Sequence, residues 1–560
     1  MLNLLAIKRL NPTQPTLDPC EHGYILRGVQ ELEMELGKEH WYGLGAMAHQ
    51  RLPLEKISIP EGQMCTGERA TWGATTPGLL GTLHPFWFNS RGVGIEVLGD
   101  SFRFAFNPPI VTTGATGVLP ECSDGQNVEP ILRLAGDDLS IRIFVCSDAP
   151  AVVRAFWDTL EDPGLPPENL LAKPLWSTWA HFKSDISQEK ILAYAREIAS
   201  HRFPCSVLGI DSRWQQAFGD CKFDPVRFPS PAALIRELHD LDLAVSLWTV
   251  PFINQNSELY AAAADIGMQT VSGEPYLGRW WEGDAAFVDL TNTHSMSWFL
   301  DNLERFAKEY QLDGFKFDAG EAGFYCDPQI DLKGASPNLA STLYIESLSK
   351  RFPWCDVRTG WRTQGSKALV RQWDKNSVWS FNNGLASCIT QAITLSLLGY
   401  QFNFPDMIGG NEYGNDRVDA EMMIRWTQAV SPMPIMQHSI PPWRFGEECA
   451  AICLSYAHLH QELVPLFLRL ASQRQPIIRP LWWLAPHDEV ALCCEDEYLI
   501  GDNLLVAPVI NQGARSRDIY FPPGAWRAYR GEPGSPILKG STWVQDYHAD
   551  LHELPIFTRV

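Results

Sequence analysis

The chain has 560 residues and a formal charge of −21, enough length for a large core and more than one domain. The acidic residues are dispersed, so their field disfavours nucleic acid and anionic membrane as partners, and no apolar run reaches the roughly 18 residues of a membrane helix. The 13 cysteines are scattered and odd in number; with an opening Met1–Leu10 stretch that makes a poor secretory signal, they favour a cytoplasmic protein with free thiols.

Residues 1–170 read as an N-terminal β-sandwich, with short apolar or alternating runs at 92–97, 102–106 and 139–145 separated by turn residues. Segments 40–45 and 71–77 are too aromatic and glycine-rich for plain strands. They read either as loops reaching toward a neighbouring site or as turns over the sandwich core. The proline-rich stretch 163–174 reads as a linker. Residues 171–473 then alternate between strand and helix. Strands are expected at 175–182, 205–211, 244–250, 314–318, 356–360, 401–405 and 434–438, and an Asp185-Ile-Ser-Gln188 capping box starts the first helix. Such alternation predicts parallel strands with helical crossovers, and the length favours a closed (β/α)8 TIM barrel over an open sheet. No glycine-rich dinucleotide fingerprint and no Walker pattern is present. Residues 474–560 turn β again and read as a small C-terminal β-sandwich.

Within the barrel, 314–318 places Phe315 and Phe317 on one face and Lys316 and Asp318 on the other. Ala-Gly follows, so Asp318 ends the strand. Alone, the pair reads equally as an ordinary salt bridge. In a barrel, however, polar residues at the C-terminal strand ends gather in one cleft. Those residues are Lys183, Asp211, Asp318, Arg358, Asp406 and His438, joined by Arg371 and Asp374 from 370–379. Carboxylates, arginines and nearby tryptophans are the equipment of a glycosidase, in which one carboxylate stabilises or attacks the sugar carbon and another protonates the departing oxygen. The 21 tryptophans agree with this, since flat aromatic faces suit sugars. No Cys-x-x-Cys, His-Glu-x-x-His or Gly-x-Ser-x-Gly motif occurs, so no metal and no cofactor is expected.

Several motifs in order resemble glycoside hydrolase family 31: Lys316-Phe-Asp-Ala-Gly-Glu321, Asn376-Ser-Val-Trp379, Leu398-Gly-Tyr-Gln-Phe-Asn-Phe-Pro-Asp-Met-Ile-Gly-Gly410, Ser439-Ile-Pro-Pro-Trp-Arg444, Ile478-Arg-Pro-Leu-Trp-Trp483 and the stretch 499–508. The resemblance runs from about His40 to Pro555 and is nearest the branch of the myogenesis-regulating glycosidase and bacterial α-galactosidases. It implies a retaining α-glycosidase with Asp318 as nucleophile and Asp374 as acid/base. It further implies that Asp211 bonds a sugar hydroxyl, that Arg358 and Arg371 flank the acid/base segment, that Trp281 lines the subsite and that Asp406 ends a late strand. Lys316 and His438 are carried over as sugar contacts. Trp373 beside Asp374 is expected to raise its pKa toward that of a proton donor. The function so implied is exo-acting hydrolysis of a small α-galactoside, in a pocket closed by a loop such as 40–45. An α-glucosidase or a sulfoquinovosidase is the alternative, and a catalytically silent sugar-binding or chaperone-like protein is the non-enzyme alternative. Homo-oligomerisation is left open.

Overall fold

The computed structural model describes residues 6–67, 81–108, 129–531 and 534–560; segment 71–77 lies outside them. Eight parallel strands form the central sheet. We label them β1 (Leu175–Ser177), β2 (Val207–Ile210), β3 (Ala244–Thr249), β4 (Gly314–Phe317), β5 (Trp354–Val357), β6 (Leu369–Arg371), β7 (Asn403–Phe404) and β8 (Gln437–His438). Neighbours pair in sequence from β1 to β7, and β8 pairs with β1. A parallel bridge between Met407 and Gln437 draws the last gap nearly shut. The fold is therefore a near-closed barrel.

Two details differ from the expected strand pattern. The first strand stops at Ser177, and residues Trp179–Phe182 form a helical turn. β6 was not expected, because three residues carry no alternation long enough to read. The crossover from β5 to β6 also lacks a helix. Its residues Gly360–Trp361 instead pair with Thr82–Leu83 of the N-terminal sheet. Trp361 is buried in the core of that sheet, and its indole N–H donates to Asp100 at 2.9 Å.

The six remaining crossovers are helical, α1 (Gln188–Ser200), α2 (Pro231–Asp240), α3 (Thr293–Tyr310), α4 (Pro337–Arg351), α5 (Leu385–Leu397) and α6 (Ala420–Val430), and a further helix, α7 (Glu447–Ser472), follows β8. The N-cap of α1 is Ser187, which accepts from the Lys190 N–H, rather than Asp185. α5 has no exposed residue, because the N-terminal region covers its outer side: Thr390 and Gln391 donate to the carbonyls of Gln50 and Met47. The stretch read as a linker contains a helical turn, Glu168–Leu171. Its Leu170 and Leu171 pack with Leu175, Val207, Trp354 and Leu369, residues at the beginnings of barrel strands. They plug the end of the barrel opposite the strand C-termini.

The N-terminal part is a nine-stranded sheet that includes Gly360–Trp361. The long strand Ile131–Val145 pairs along one edge first with Arg103–Phe106 and then with Val93–Val97, which divides the sheet. Residues 1–170 are not wholly β, since Ala149–Trp157 is a helix capped by Asp148. Segment 40–45 is not a lid: Trp41–Gly45 is a buried strand paired with Thr82–Asn89. Its glycines allow the close approach, as a Cβ on Gly43 would lie 2.2 Å from the Phe86 carbonyl oxygen. Beyond the barrel lie a six-stranded and a two-stranded sheet.

Candidate active site

The register of β3, β4 and β5 aligns Trp248, Lys316 and Asp356 side by side. Because side chains alternate along a strand, these three share one face, and Asp318 follows on that face two residues after Lys316. Lys316 does not pair with Asp318. Its ammonium lies 2.7 Å from Asp211, at the end of β2. Burial alone would discharge this lysine, but Asp211 outweighs it and raises its pKa. Asp211 is held in turn by the Thr178 hydroxyl, which accepts its backbone N–H at 2.9 Å.

Asp318 is set by three donors. The Trp248 indole N–H reaches Oδ2 at 2.9 Å, while Arg358 Nε and Arg371 Nη2 reach Oδ1 at 3.0 and 3.1 Å. Ala319 and Gly320 then both take left-handed backbone, φ 56° and 81°. This sharp turn releases Asp318 into the cleft and brings Glu321 back beneath it, where Glu321 meets Arg358 Nε at 2.5 Å. A Cβ on Gly320 would lie 2.5 Å from the Tyr344 ring, so only glycine fits the turn.

Arg371, the last residue of β6, organises the cleft. Its guanidinium lies 3.1 Å from Asp318, 2.9 Å from Asp374, 3.4 Å from Asp406 and 3.5 Å from Asp356. Burial opposes its charge, but these carboxylates outweigh burial and raise its pKa far above the usual value. Asp318 and Asp374 occupy the two Nη atoms of this one group, so they stand on the same rim. Asp356, itself buried, is pushed up to about 6 by burial against the pull of Arg371 and Lys316.

Asp374 has one oxygen on Arg371. The other accepts the Tyr413 hydroxyl at 2.6 Å, and Tyr413 accepts the Trp179 indole N–H at 2.9 Å. Burial pushes Asp374 up, but Arg371, Arg358, Lys316 and the Tyr413 hydrogen bond outweigh it and hold the carboxyl at about 2. The expected elevation by Trp373 is therefore overturned. Arg358 lies 4.3 Å from the Trp373 ring centroid, so the tryptophan carries a cation beside the carboxyl instead of exposing it to an apolar wall. Asp406, in left-handed backbone at φ 62°, accepts the Asn411 side-chain amide and the Lys375 N–H at 2.9 and 3.1 Å. It fixes the loops that carry Asp374 and Tyr413.

Trp281 lies in the turn between Leu277–Trp280 and Gly283–Phe287, two strands of a small sheet inserted after β3, and Arg358 stacks on its ring at 4.9 Å. Lys183 follows the helical turn after β1. Its ammonium donates to the Asn411 carbonyl and lies 4.9 Å from the Tyr413 ring. His438 is the expected site residue that the structure places elsewhere. Its fully buried ring stacks on Trp176 at 4.8 Å and meets Phe203 edge-on. Trp176 also contacts Tyr194 of α1, so this pair faces the helix layer and not the cleft. Among the described residues, the side-chain groups able to hold a metal ion are His40/Glu489/Cys493 and Cys494/Asp496/Glu497; neither includes a cleft residue.

With this geometry in place, comparison with known proteins gives a definite result. The description "Glycosyl hydrolases family 31 TIM-barrel domain" matches residues 165–470, and "Glycosyl hydrolase family 31 C-terminal domain" matches 474–560. The chain belongs to glycosyl hydrolase family 31. The myogenesis-regulating glycosidase of Mus musculus is 36% identical over 545 residues, 93% of this chain and 74% of the mouse protein. The SITS-binding protein of Tetronarce californica is 29% identical over 58% of this chain and 48% of its own length. Among solved structures, a family 31 sulfoquinovosidase from E. rectale in complex with an aza-sugar inhibitor superposes with TM-score 0.79 at 18% identity, covering 99% of this chain and 89% of that one. This family 31 glycoside hydrolase has, among the described residues, no helix long and apolar enough to cross a membrane. Its cleft also contains residues that sequence reasoning missed. Trp248 and Asp356 lie on expected strands at inward parity, so their positions were readable. Tyr413 lies in an irregular loop 39 residues from its partner, with no signal to find it.

Proposed function

We propose that this enzyme is a retaining, exo-acting α-glycosidase that removes a terminal α-linked galactose from a small glycoside, with Asp318 as nucleophile and Asp374 as acid/base. The observation that carries the reading is the shared guanidinium of Arg371. Asp318 and Asp374 sit on its two Nη atoms, which supports the close carboxyl pair of about 5–5.5 Å that a retaining mechanism uses. Asp318 attacks the anomeric carbon as Asp374 gives its proton to the departing oxygen. Asp374 then deprotonates the water that cleaves the glycosyl ester. Once Asp318 is esterified its charge is gone, and Arg371 acts on Asp374 with one competitor fewer. The charge-assisted bonds of Arg358 and Trp248 keep Asp318 aligned for attack. On this reading Asp211, with Lys316, bonds sugar hydroxyls, and Trp281 walls the subsite.

The choice of galactose rests on the branch resemblance. One observation favours a second reading, a sulfoquinovosidase. Lys183 supplies a cation beyond Arg358 and Arg371 at the same cleft, and a sulfonate requires such a group. We also read the chain as three units, 1–170, 171–473 and 474–560, a division supported by the grouping of its sheets.

The deciding experiment is a panel of aryl α-glycosides of galactose, glucose, xylose and sulfoquinovose, with product stereochemistry followed by NMR. Retention with galactoside preference is expected, whereas inversion rules out the covalent mechanism. Asp318→Ala should abolish turnover while leaving sugar binding. Asp374→Ala should spare substrates with good leaving groups more than natural glycosides.

A further inference from the structure

One group of reactive side chains takes no part in the cleft. It lies at the seam between the N-terminal sheet and the helical turn Glu489–Cys493. His40 precedes the strand Trp41–Gly45, and Glu489 and Cys493, four residues apart on the turn, present the same face to it. His40 Nε2 lies 2.9 Å from Glu489 Oε1 and 3.7 Å from Cys493 Sγ, and Sγ lies 3.9 Å from the same Oε1. Ligands bound tetrahedrally to zinc at about 2.0–2.3 Å stand about 3.3–3.8 Å from one another. The three atoms already bracket that spacing.

The other imidazole nitrogen gives a second, independent sign. His40 Nδ1 lies 2.6 Å from Glu55 Oε1, and Glu55 is itself fixed by the Trp41 N–H at 2.9 Å. A metal-ligating histidine regularly gives its remaining N–H to a carboxylate, which sets the tautomer and aims the ring. Lys56, the neighbouring cation, is engaged by Glu495 and by the carbonyls of Leu52 and Cys493. The second cluster, Cys494/Asp496/Glu497, lacks these properties. There Arg517 already lies 3.1 and 3.2 Å from Asp496 and Glu497 and supplies the positive charge.

We propose that His40 Nε2, Cys493 Sγ and a Glu489 carboxylate oxygen form a binding site for a borderline-soft divalent cation of the zinc type, with Glu55 orienting the imidazole. The mixed N, S and O donor set selects zinc over magnesium or calcium. Glu489 is 78% exposed, so the fourth position opens to solvent and takes a water. Metal binding at such a site competes with protons for the ligand atoms, so affinity weakens as pH falls. The bound ion clips together residues 449 positions apart in the chain.

The test uses the full chain, stripped with a chelator and titrated with Co2+ and Zn2+. Wild type should bind one equivalent. The Co2+ form should show a thiolate-to-metal charge-transfer band, and Zn2+ should raise the thermal midpoint. Cys493→Ser should lose the band and at least tenfold in affinity. Glu55→Gln should keep the band with affinity about 10–100-fold weaker. Cys494→Ser should match wild type. If Cys493→Ser fails to fold, Glu489→Gln, on an exposed side chain, must show the affinity loss. Failure of wild type to bind at micromolar metal, or survival of the band in Cys493→Ser, overturns the site and leaves a hydrogen-bonded cluster only.

Discussion

Asp374 carries opposing demands. An acid must hold a proton, yet in the sugar-free cleft this carboxyl sits at about 2 and is ionised at neutral pH. On the proposed mechanism the proton therefore arrives with the substrate, whose bulk removes solvent and disfavours the charged form. Calorimetric binding of a non-hydrolysable thioglycoside, repeated in buffers of different ionisation enthalpy, should show proton uptake near pH 6–7 by wild type and none by Asp374→Asn. Equal uptake by both would assign the proton elsewhere. His438 is the opposite case, a residue that resemblance places in the cleft and packing places behind it. Burial lowers its pKa from 6.5 to about 3. Between those values the unfolded chain binds a proton that the folded chain refuses, so stability falls as pH drops from 6.5 toward 3, by about 1.4 kcal/mol per pH unit. His438→Phe should keep the stacking on Trp176, flatten that acid limb in urea titrations and leave KM within about twofold. A large rise in KM would return His438 to the site. Strand parity made Lys316 and Asp318 legible as neighbours, but not that Lys316 reaches across to Asp211. That contact depends on barrel curvature, which no local pattern encodes.

The element that positions the chemistry is the turn after β4. Apolar alternation at Phe315 and Phe317 and the Ala-Gly that follows made both the strand and its end legible. What could not be read is that Ala319 and Gly320 are both left-handed and that Glu321 returns to Arg358. Gly320→Ala adds a methyl against Tyr344 at positive φ, and the strain falls on a turn with Asp318 at its start. We expect kcat/KM to fall at least tenfold, with a loss of stability of about 1–3 kcal/mol, both read on purified protein. Full activity in the variant would show that the turn tolerates displacement. The strand β6 illustrates the limit of periodicity. Leu369–Arg371 is three residues long, yet it delivers the cation on which the cleft is built.

Across the whole molecule, the alternation of strands and helices disclosed the barrel, because most crossovers follow a strand with a helix buried along one face. The exception, the β5–β6 crossover, was not legible, since Gly360–Trp361 answers to a sheet formed from residues far earlier in the chain. Trp361→Ala should cost about 3–5 kcal/mol and expose the N-terminal sheet to limited proteolysis before the barrel. Simultaneous cleavage of both would argue against a local role. The same feature bears on synthesis. The core of the N-terminal sheet includes Trp361, which leaves the ribosome roughly 200 residues after the sheet's last strand of its own, Ile131–Val145. At roughly 5–20 residues per second, the nascent sheet waits on the order of 10–40 s with a gap in its interior and an unpaired edge at Thr82–Leu83. Slower translation lengthens that exposure, and chaperone dependence in this protein should therefore concentrate on its first third.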